Sequence, residues 1–256
     1  MIQQIKEGFV NSETHQGITT IEFFHPQSNS LPGKILEALV KEIHFAGTHN
    51  ETKVIILKSS GDKTFCAGAS FDELLETVNE AAGLAFFSGF ANVINVMRKC
   101  PKIIIARIQG KCVGGGVGLV AAADYAIALE GSDIKLSELA IGIAPFVVGP
   151  AVERKIGLAA FSALAIDANM WRNSQWAKNK GLYAEVHENI ENMDESVLRL
   201  ANSLAHGSPE AMLSLKKTLW AGTDHWDQLL KERAAISGRL ILSDFSKAAI
   251  TKFKRK

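Results

Sequence analysis

The chain is poor in several things at once. Only three of its 256 residues are cysteine, Cys66, Cys100 and Cys112, and none stands in a C-x-x-C or Cys/His spacing. That argues against a disulfide framework or a structural zinc, implies no metal, and fits a reducing compartment. Neither sign of charge is in excess. The 28 Lys and Arg against 27 Asp and Glu leave a formal charge of +1, too little field to gather polyanions, so nucleic acid is not expected as a partner. No long apolar run goes unbroken: the most apolar stretch, Cys112 to Leu129, is interrupted by glycines and by Asp124, whereas a membrane span needs about 20 mostly apolar residues. Met1 to Glu7 has neither the basic nor the apolar region of a signal peptide, so the expectation is a cytoplasmic protein off the membrane. With 47% hydrophobic and 21% charged residues, the material present suffices for one large core or two small ones.

The first half alternates short apolar runs with turn signals. Gly8 to Val10, His15-Gln16-Gly17 and Ile18 to Phe24 predict a β-hairpin. A helix is predicted from about Pro32, where Ile35, Leu36, Leu39, Val40 and Ile43 recur at helical spacing. Val54-Ile55-Ile56-Leu57 and Ile103-Ile104-Ile105-Ala106 are continuous apolar runs, the mark of strands buried on both faces. A long helix is predicted from about Phe71 to Arg98 between them, and an Ala-rich helix after the glycine run, followed by strands at Asp124–Leu129 and Ile134–Leu136. The alternation predicts an α/β architecture. From about Gly149 helical patterns dominate, broken by one apolar segment, Tyr183 to Val186. Trp220, Trp226, Leu229, Leu230, Ile236, Leu240 and Ile241 give this last third more apolar surface than a thin layer needs. It packs either on another subunit or into the chain's own core.

Three features carry candidate chemistry. Phe65-Cys66-Ala67-Gly68-Ala69-Ser70 opens a helix with small residues, with Ser70 as its N-cap, leaving backbone N–H groups to face an anion or a carbonyl oxygen. Gly110-Lys111-Cys112-Val113-Gly114-Gly115-Gly116-Val117-Gly118 links a buried strand to a helix and lets a ligand approach the backbone at the helix N-terminus. Within it, Gly116-x-Gly118-x-x-Ala121 also matches a relaxed dinucleotide fingerprint, with tight helix packing as the alternative. Glu138 is an acid among apolar residues just after a strand. Such a carboxylate has a raised pKa and suits proton transfer, unless it pairs with Arg154 or Lys155.

In this order and at this spacing, these segments resemble the crotonase family, also called the enoyl-CoA hydratase/isomerase superfamily, over nearly the whole chain. The resemblance implies a crotonase-like spiral of ββα units over residues 1–195 and a helical trimerisation region over residues 196–256, often assembled as a dimer of trimers. It implies no cofactor, coenzyme A being part of the substrate, and a place in fatty acid metabolism. The N–H groups of Ala69 and Gly115 would form an oxyanion hole for the acyl-CoA thioester, with Glu138 the catalytic acid–base. Ala67, Gly68, Gly114 and Lys256 would touch the substrate. The CoA adenine and phosphates would lie near His25–Leu31 and the basic end, Lys252, Lys254, Arg255 and Lys256.

The sequence departs from the family where it matters for chemistry. Hydratases of the family carry a second glutamate three residues after the middle glycine, and here that position is Gly118. The usual acid after A-G-A is Ser70, and Pro145-Phe146-Val147-Val148-Gly149 replaces a glycine-rich stretch with bulkier residues. Glu73 and Glu76 could replace the missing acid, although a solvated helix face is the simpler reading. The overall texture favours an enoyl-CoA hydratase, with a Δ3-Δ2 double-bond isomerase using Glu138 alone as the alternative. Behind these stand a non-catalytic acyl-CoA-binding protein and a nicotinamide-dependent oxidoreductase.

Overall fold

The structure, a computed structural model, describes residues 7–254. Four times the chain passes from a strand in a large sheet through short strands in a smaller one to a helix. The first pass is the hairpin β1 (Phe9–His15) and β2 (Ile18–Phe24), then β3 (Ser30–Leu31) and α1 (Gly33–Thr48). The second is β4 (Val54–Ser59), β5 (Thr64–Cys66), β6 (Gly68–Ala69), α2 (Phe71–Glu76) and α3 (Glu80–Lys99). The third is β7 (Ile103–Ile108), β8 (Lys111–Val113) and α4 (Gly115–Ala122). The fourth is β9 (Tyr125–Leu129), β10 (Ile134–Lys135), a 3-10 turn Glu138–Ile141 and α5 (Gly149–Ile166). After α6 (Ser174–Asn179), β11 (Glu185–His187) completes a six-stranded sheet in the order β1-β2-β4-β7-β9-β11, parallel except for β1. Strands β10, β8 and β5 form a parallel three-stranded sheet, and β3 pairs with β6. This is the α/β spiral that the sequence implied.

The two apolar strand runs are buried on both faces because helices cover both. Val54, Ile56, Ile103, Ile105 and Ile127 pack outward on Met193, Val197 and Ala201 of α7 (Ile190–Ala205). Ile55, Leu57, Ile104 and Ala106 point inward to Leu36, Leu39 and Ile43 of α1. Each such side chain taken from water contributes about 1.5–3 kcal/mol. Residues 195 and 196, where a boundary is expected, lie within α7.

The remaining helices are α8 (Pro209–Leu219), α9 (Trp226–Leu240) and α10 (Asp244–Lys254). Trp220, Trp226, Leu230 and Ile241 are buried within the chain itself. A buried polar knot ties α5 and α8 to the sheet. Asp124 Oδ2 accepts from Lys216 Nζ and from the Ile104 N–H, both at 2.8 Å, and Oδ1 accepts from Trp220 Nε1 at 2.9 Å. Lys155 Nζ donates to the Asp124 carbonyl at 3.1 Å and Lys216 Nζ also donates to the Lys102 carbonyl at 2.8 Å. A buried ion pair is tolerable when its remaining polar atoms are satisfied in this way.

The helix expected over Phe71–Arg98 is two helices. Thr77 ends α2 and the Asn79 side chain caps α3, accepting from the Ala82 N–H at 2.9 Å. The helical patterns Ala151–Ile156 and Ala159–Ile166 of the sequence correspond to two helical segments within α5, separated by Gly157, whose backbone is not helical at φ 76° and ψ 158°. On length and composition α3 alone among the described helices could cross a membrane. Its Phe87, Phe90, Val93, Ile94 and Met97 lie in the core. Helices α3 and α9 cross at Gly83 and Gly238, where a methyl at Gly83 would meet the Gly238 carbonyl oxygen at 2.5 Å. That close approach seats the neighbouring Ser237 of α9 beside the core helix α3.

Candidate active site

The two small-residue segments meet because β5 and β8 are neighbours in one sheet. Gly68 has φ +86°, and a methyl there would lie 2.7 Å from the Val113 carbonyl oxygen and 3.2 Å from the Gly115 nitrogen. Only glycine allows this contact. β10 pairs with β8 on the other side, Lys135 opposite Val113, which returns Glu138 to the start of α4. A methyl on Gly114 would lie 3.0 Å from Glu138 Oε1. The structure therefore brings Ala67, Gly68, Ala69, Gly114, Gly115 and Glu138 around one cleft, with an empty volume of about 520 Å3 including its open mouth.

Not every amide there is available. The Ala67 N–H donates to the Ser28 carbonyl at 3.1 Å and the Gly114 N–H to the Lys135 carbonyl at 2.9 Å. These two expected substrate contacts thus line the cleft with their N–H groups engaged. Gly115 is the first residue of α4, and first-turn N–H groups have no acceptor within their own helix. The end of the helix carrying partial positive charge faces the cleft.

Glu138 is half-buried, and among the described residues its Oε2 is shielded from water without a hydrogen-bond partner. Burial, which penalises the ionised form, pushes its carboxyl up to about 7, with its own backbone N–H opposing the shift. Pairing with Arg154 or Lys155 does not occur: Arg154 donates to the Leu219 carbonyl, and Lys155 belongs to the Asp124 knot. The rest of the wall is almost entirely apolar, including Phe71, Leu74, Phe87, Phe90, Ile143 and Val148. Ser137 and Ser237 are its other polar side chains.

The position of the missing second acid is filled. A methyl on Gly118 would lie 2.4 Å from Val148 Cγ1, and Val148 is 4% exposed. Among the described residues no other carboxylate lines the cleft. Glu73 Oε2 accepts from the Gly33 N–H at 2.8 Å, capping α1, and Glu76 is exposed. Ser70 is the N-cap of α2, as expected, accepting from the Glu73 N–H. The glycines of the dinucleotide fingerprint serve packing instead: a methyl on Gly116 would meet the Cys66 carbonyl oxygen at 2.4 Å. Cys66 is no nucleophile, since burial pushes its thiol up to about 12. Among the described residues no cluster of three His, Cys, Asp or Glu is arranged to hold a metal ion.

The His25–Leu31 loop lies beside the cleft, clamped by Asn29, whose Nδ2 donates to the Ser60 and Thr64 carbonyls at 2.8 and 2.9 Å. Lys252 is exposed on α10. The side chain of Lys254, with Arg255 and Lys256, lies outside the described residues. Sequence reasoning missed Phe90 beneath Gly115 and Ser237. Ser237 arrives from a helix far along the chain, at the close approach of Gly83 and Gly238.

The family model described as enoyl-CoA hydratase/isomerase matches residues 13–255. The chain is 30% identical over 200 residues to the mitochondrial methylglutaconyl-CoA hydratase of Rattus norvegicus, covering 77% of this chain and 63% of that protein. It is 26% identical over 194 residues to the mitochondrial Delta(3,5)-Delta(2,4)-dienoyl-CoA isomerase of Pongo abelii, covering 68% of this chain and 56% of that protein. The crystal structure of an enoyl-CoA hydratase from Bacillus halodurans superposes with a TM-score of 0.88 at 22% identity, covering 95% of this chain and 99% of that one, a likeness of fold. By spiral, cleft and family match alike, the chain belongs to the enoyl-CoA hydratase/isomerase family, the crotonase superfamily.

Proposed function

We propose that the protein moves a double bond in an acyl-CoA thioester, converting a 3-enoyl-CoA to the 2-enoyl-CoA with Glu138 as the one proton carrier. The observation that carries this reading is the single carboxylate of the cleft, with Val148 filling the space beside Gly118. Hydration places two carboxylates on one water, whereas isomerisation asks one base to take a proton and give it back. The ionised Glu138 removes a proton from C2. The electrons move through the C3–C4 double bond, and negative charge gathers on the thioester oxygen, facing the Ala69 and Gly115 N–H groups. The neutral Glu138 then delivers the same proton to C4, leaving the double bond between C2 and C3. Donors fixed in a site shielded from water stabilise such an enolate without reorganising.

The hydratase reading keeps the support of 30% identity to a protein of that name. One assay separates the two. Purified protein is given crotonyl-CoA and, separately, a 3-enoyl-CoA in heavy-oxygen water, beside Glu138→Gln. The isomerase reading expects 2-enoyl-CoA from the 3-enoyl substrate without mass gain, lost in Glu138→Gln. Addition of heavy water to crotonyl-CoA with no isomerisation would overturn it in favour of a hydratase that works without an acid at position 118.

A further inference from the structure

Helix α9 carries two polar side chains, one helical turn apart, that line adjoining cavities. Ser237, 1% exposed, lines the catalytic cleft. Arg233, four residues earlier, lines a second cavity with an empty volume of about 570 Å3, open solvent included. The two cavities share Ala144, Pro145 and Phe146 as a common wall. The Phe146 ring stands at this partition, with the Arg233 guanidinium carbon 5.9 Å from its centroid.

Arg233 is half-buried, and among the described residues no carboxylate or hydrogen-bond acceptor pairs with its side chain. Glu153 also lines this cavity but is exposed and makes no ion pair with it. The remaining wall is apolar, including Pro150, Phe161 and Ala165. A guanidinium held partly out of water by apolar neighbours and left without an acid presents a planar fork of donors suited to a carboxylate.

We propose that the second cavity receives the far end of the acyl group and that Arg233 binds a carboxylate there. The substrate class is then an acyl-CoA whose acyl chain ends in a second, free carboxylate. The proposal rests on the acyl-CoA reading of the catalytic cleft, and it accounts for the one unpaired cation among the described residues that line the two cavities. Ser237, on the same face of α9, offers a hydroxyl along the way.

The test is calorimetric binding of freshly prepared saturated thioesters, which have no double bond to move, to the intact protein, in matched pairs of four, six and eight acyl carbons: butyryl-CoA with succinyl-CoA, hexanoyl-CoA with adipyl-CoA, octanoyl-CoA with suberyl-CoA. In at least one pair the dicarboxylic ligand should bind roughly 10- to 100-fold more tightly, the range of a charge-assisted hydrogen bond. Arg233→Gln should abolish that difference and leave the monocarboxylic affinity unchanged, while Arg233→Lys should keep part of it. Monocarboxylic binding with no dicarboxylic gain in any pair would overturn this proposal alone. An equal loss for both ligands in Arg233→Gln would overturn it too, marking Arg233 as a support for Phe146. Failure of every thioester to bind would overturn the acyl-CoA reading and this proposal together.

Discussion

Replacing Gly118 by alanine sets two effects of opposite sign against each other. Gly118 lies inside α4, and Gly→Ala in a helix interior ordinarily adds about 0.5–1 kcal/mol of stability. Against that stands a methyl 2.4 Å from Val148 Cγ1 and 2.8 Å from Val148 Cβ. Val148 is 4% exposed and cannot swing into solvent, and overpacking a filled core costs about 1–3 kcal/mol. The clash wins, and the expected net loss is about 0.5–2 kcal/mol. At about 2–4 °C per kcal/mol for a chain of this size, Tm falls by roughly 1–8 °C. Val148→Ala alone also destabilises by opening a cavity, yet the double variant should recover, with a coupling of about 1 kcal/mol or more in the cycle. Urea unfolding followed through the four tryptophans measures all three variants. If Gly118→Ala proves more stable than the parent, the space beside Gly118 is not filled, and the argument against a second acid there falls with it.

Glu138→Gln should lower turnover of a 3-enoyl-CoA by about 10²- to 10⁴-fold, the usual share of a general base, while calorimetric affinity for a saturated acyl-CoA persists; loss of both would point to a folding defect. Because the base must be ionised, kcat/KM should rise with pH through about 7, and a flat profile would remove Glu138 from the rate. The same carboxyl makes a stability prediction. Its folded pKa is raised from 4.5 to about 7, so its contribution is complete below the lower value and is lost as pH rises through the upper one. Glu138→Gln should therefore gain stability relative to the parent between about pH 5 and about pH 8, read from urea midpoints, and a pH-independent difference would contradict this. Lys216→Met leaves Asp124 buried with an uncompensated charge and should cost about 3–5 kcal/mol. Adding Asp124→Asn should restore part of it, and an unchanged urea midpoint in the single variant would show that the pair is not buried in solution.

What could be read from the sequence was what repeats over short range. Val54–Leu57 and Ile103–Ala106 announce strands buried on both faces because no polar residue interrupts them, and the glycines of Gly114–Gly118 stand in a row. Glu138 was legible as an acid among apolar residues. The strands β3, β5, β6 and β8 were not, since two or three residues such as Gly68 and Ala69 carry no period and owe their geometry to neighbours far along the chain. The break at Thr77–Asn79 was hidden within apolar residues that fit one helix, and Asn79 acts there through its cap. Val148 could be named as bulky, but its seat against Gly118 depends on how α4 meets the start of α5. The same holds for Ser237, which reaches the cleft only through the crossing of Gly83 and Gly238.

The Asp124 knot also sets the order in which the chain can become a protein. Asp124 leaves the ribosome well before its partners Lys216 and Trp220, which follow 92 and 96 residues later. Until α8 arrives, the junction of β7 and β9 holds a carboxylate that needs water, so the sheet cannot close dry around it. The spiral should therefore not fold when cut free of its C-terminal helices. A fragment ending before Lys216 should be a sticky intermediate rather than a smaller folded unit, and the full chain should unfold in one cooperative step.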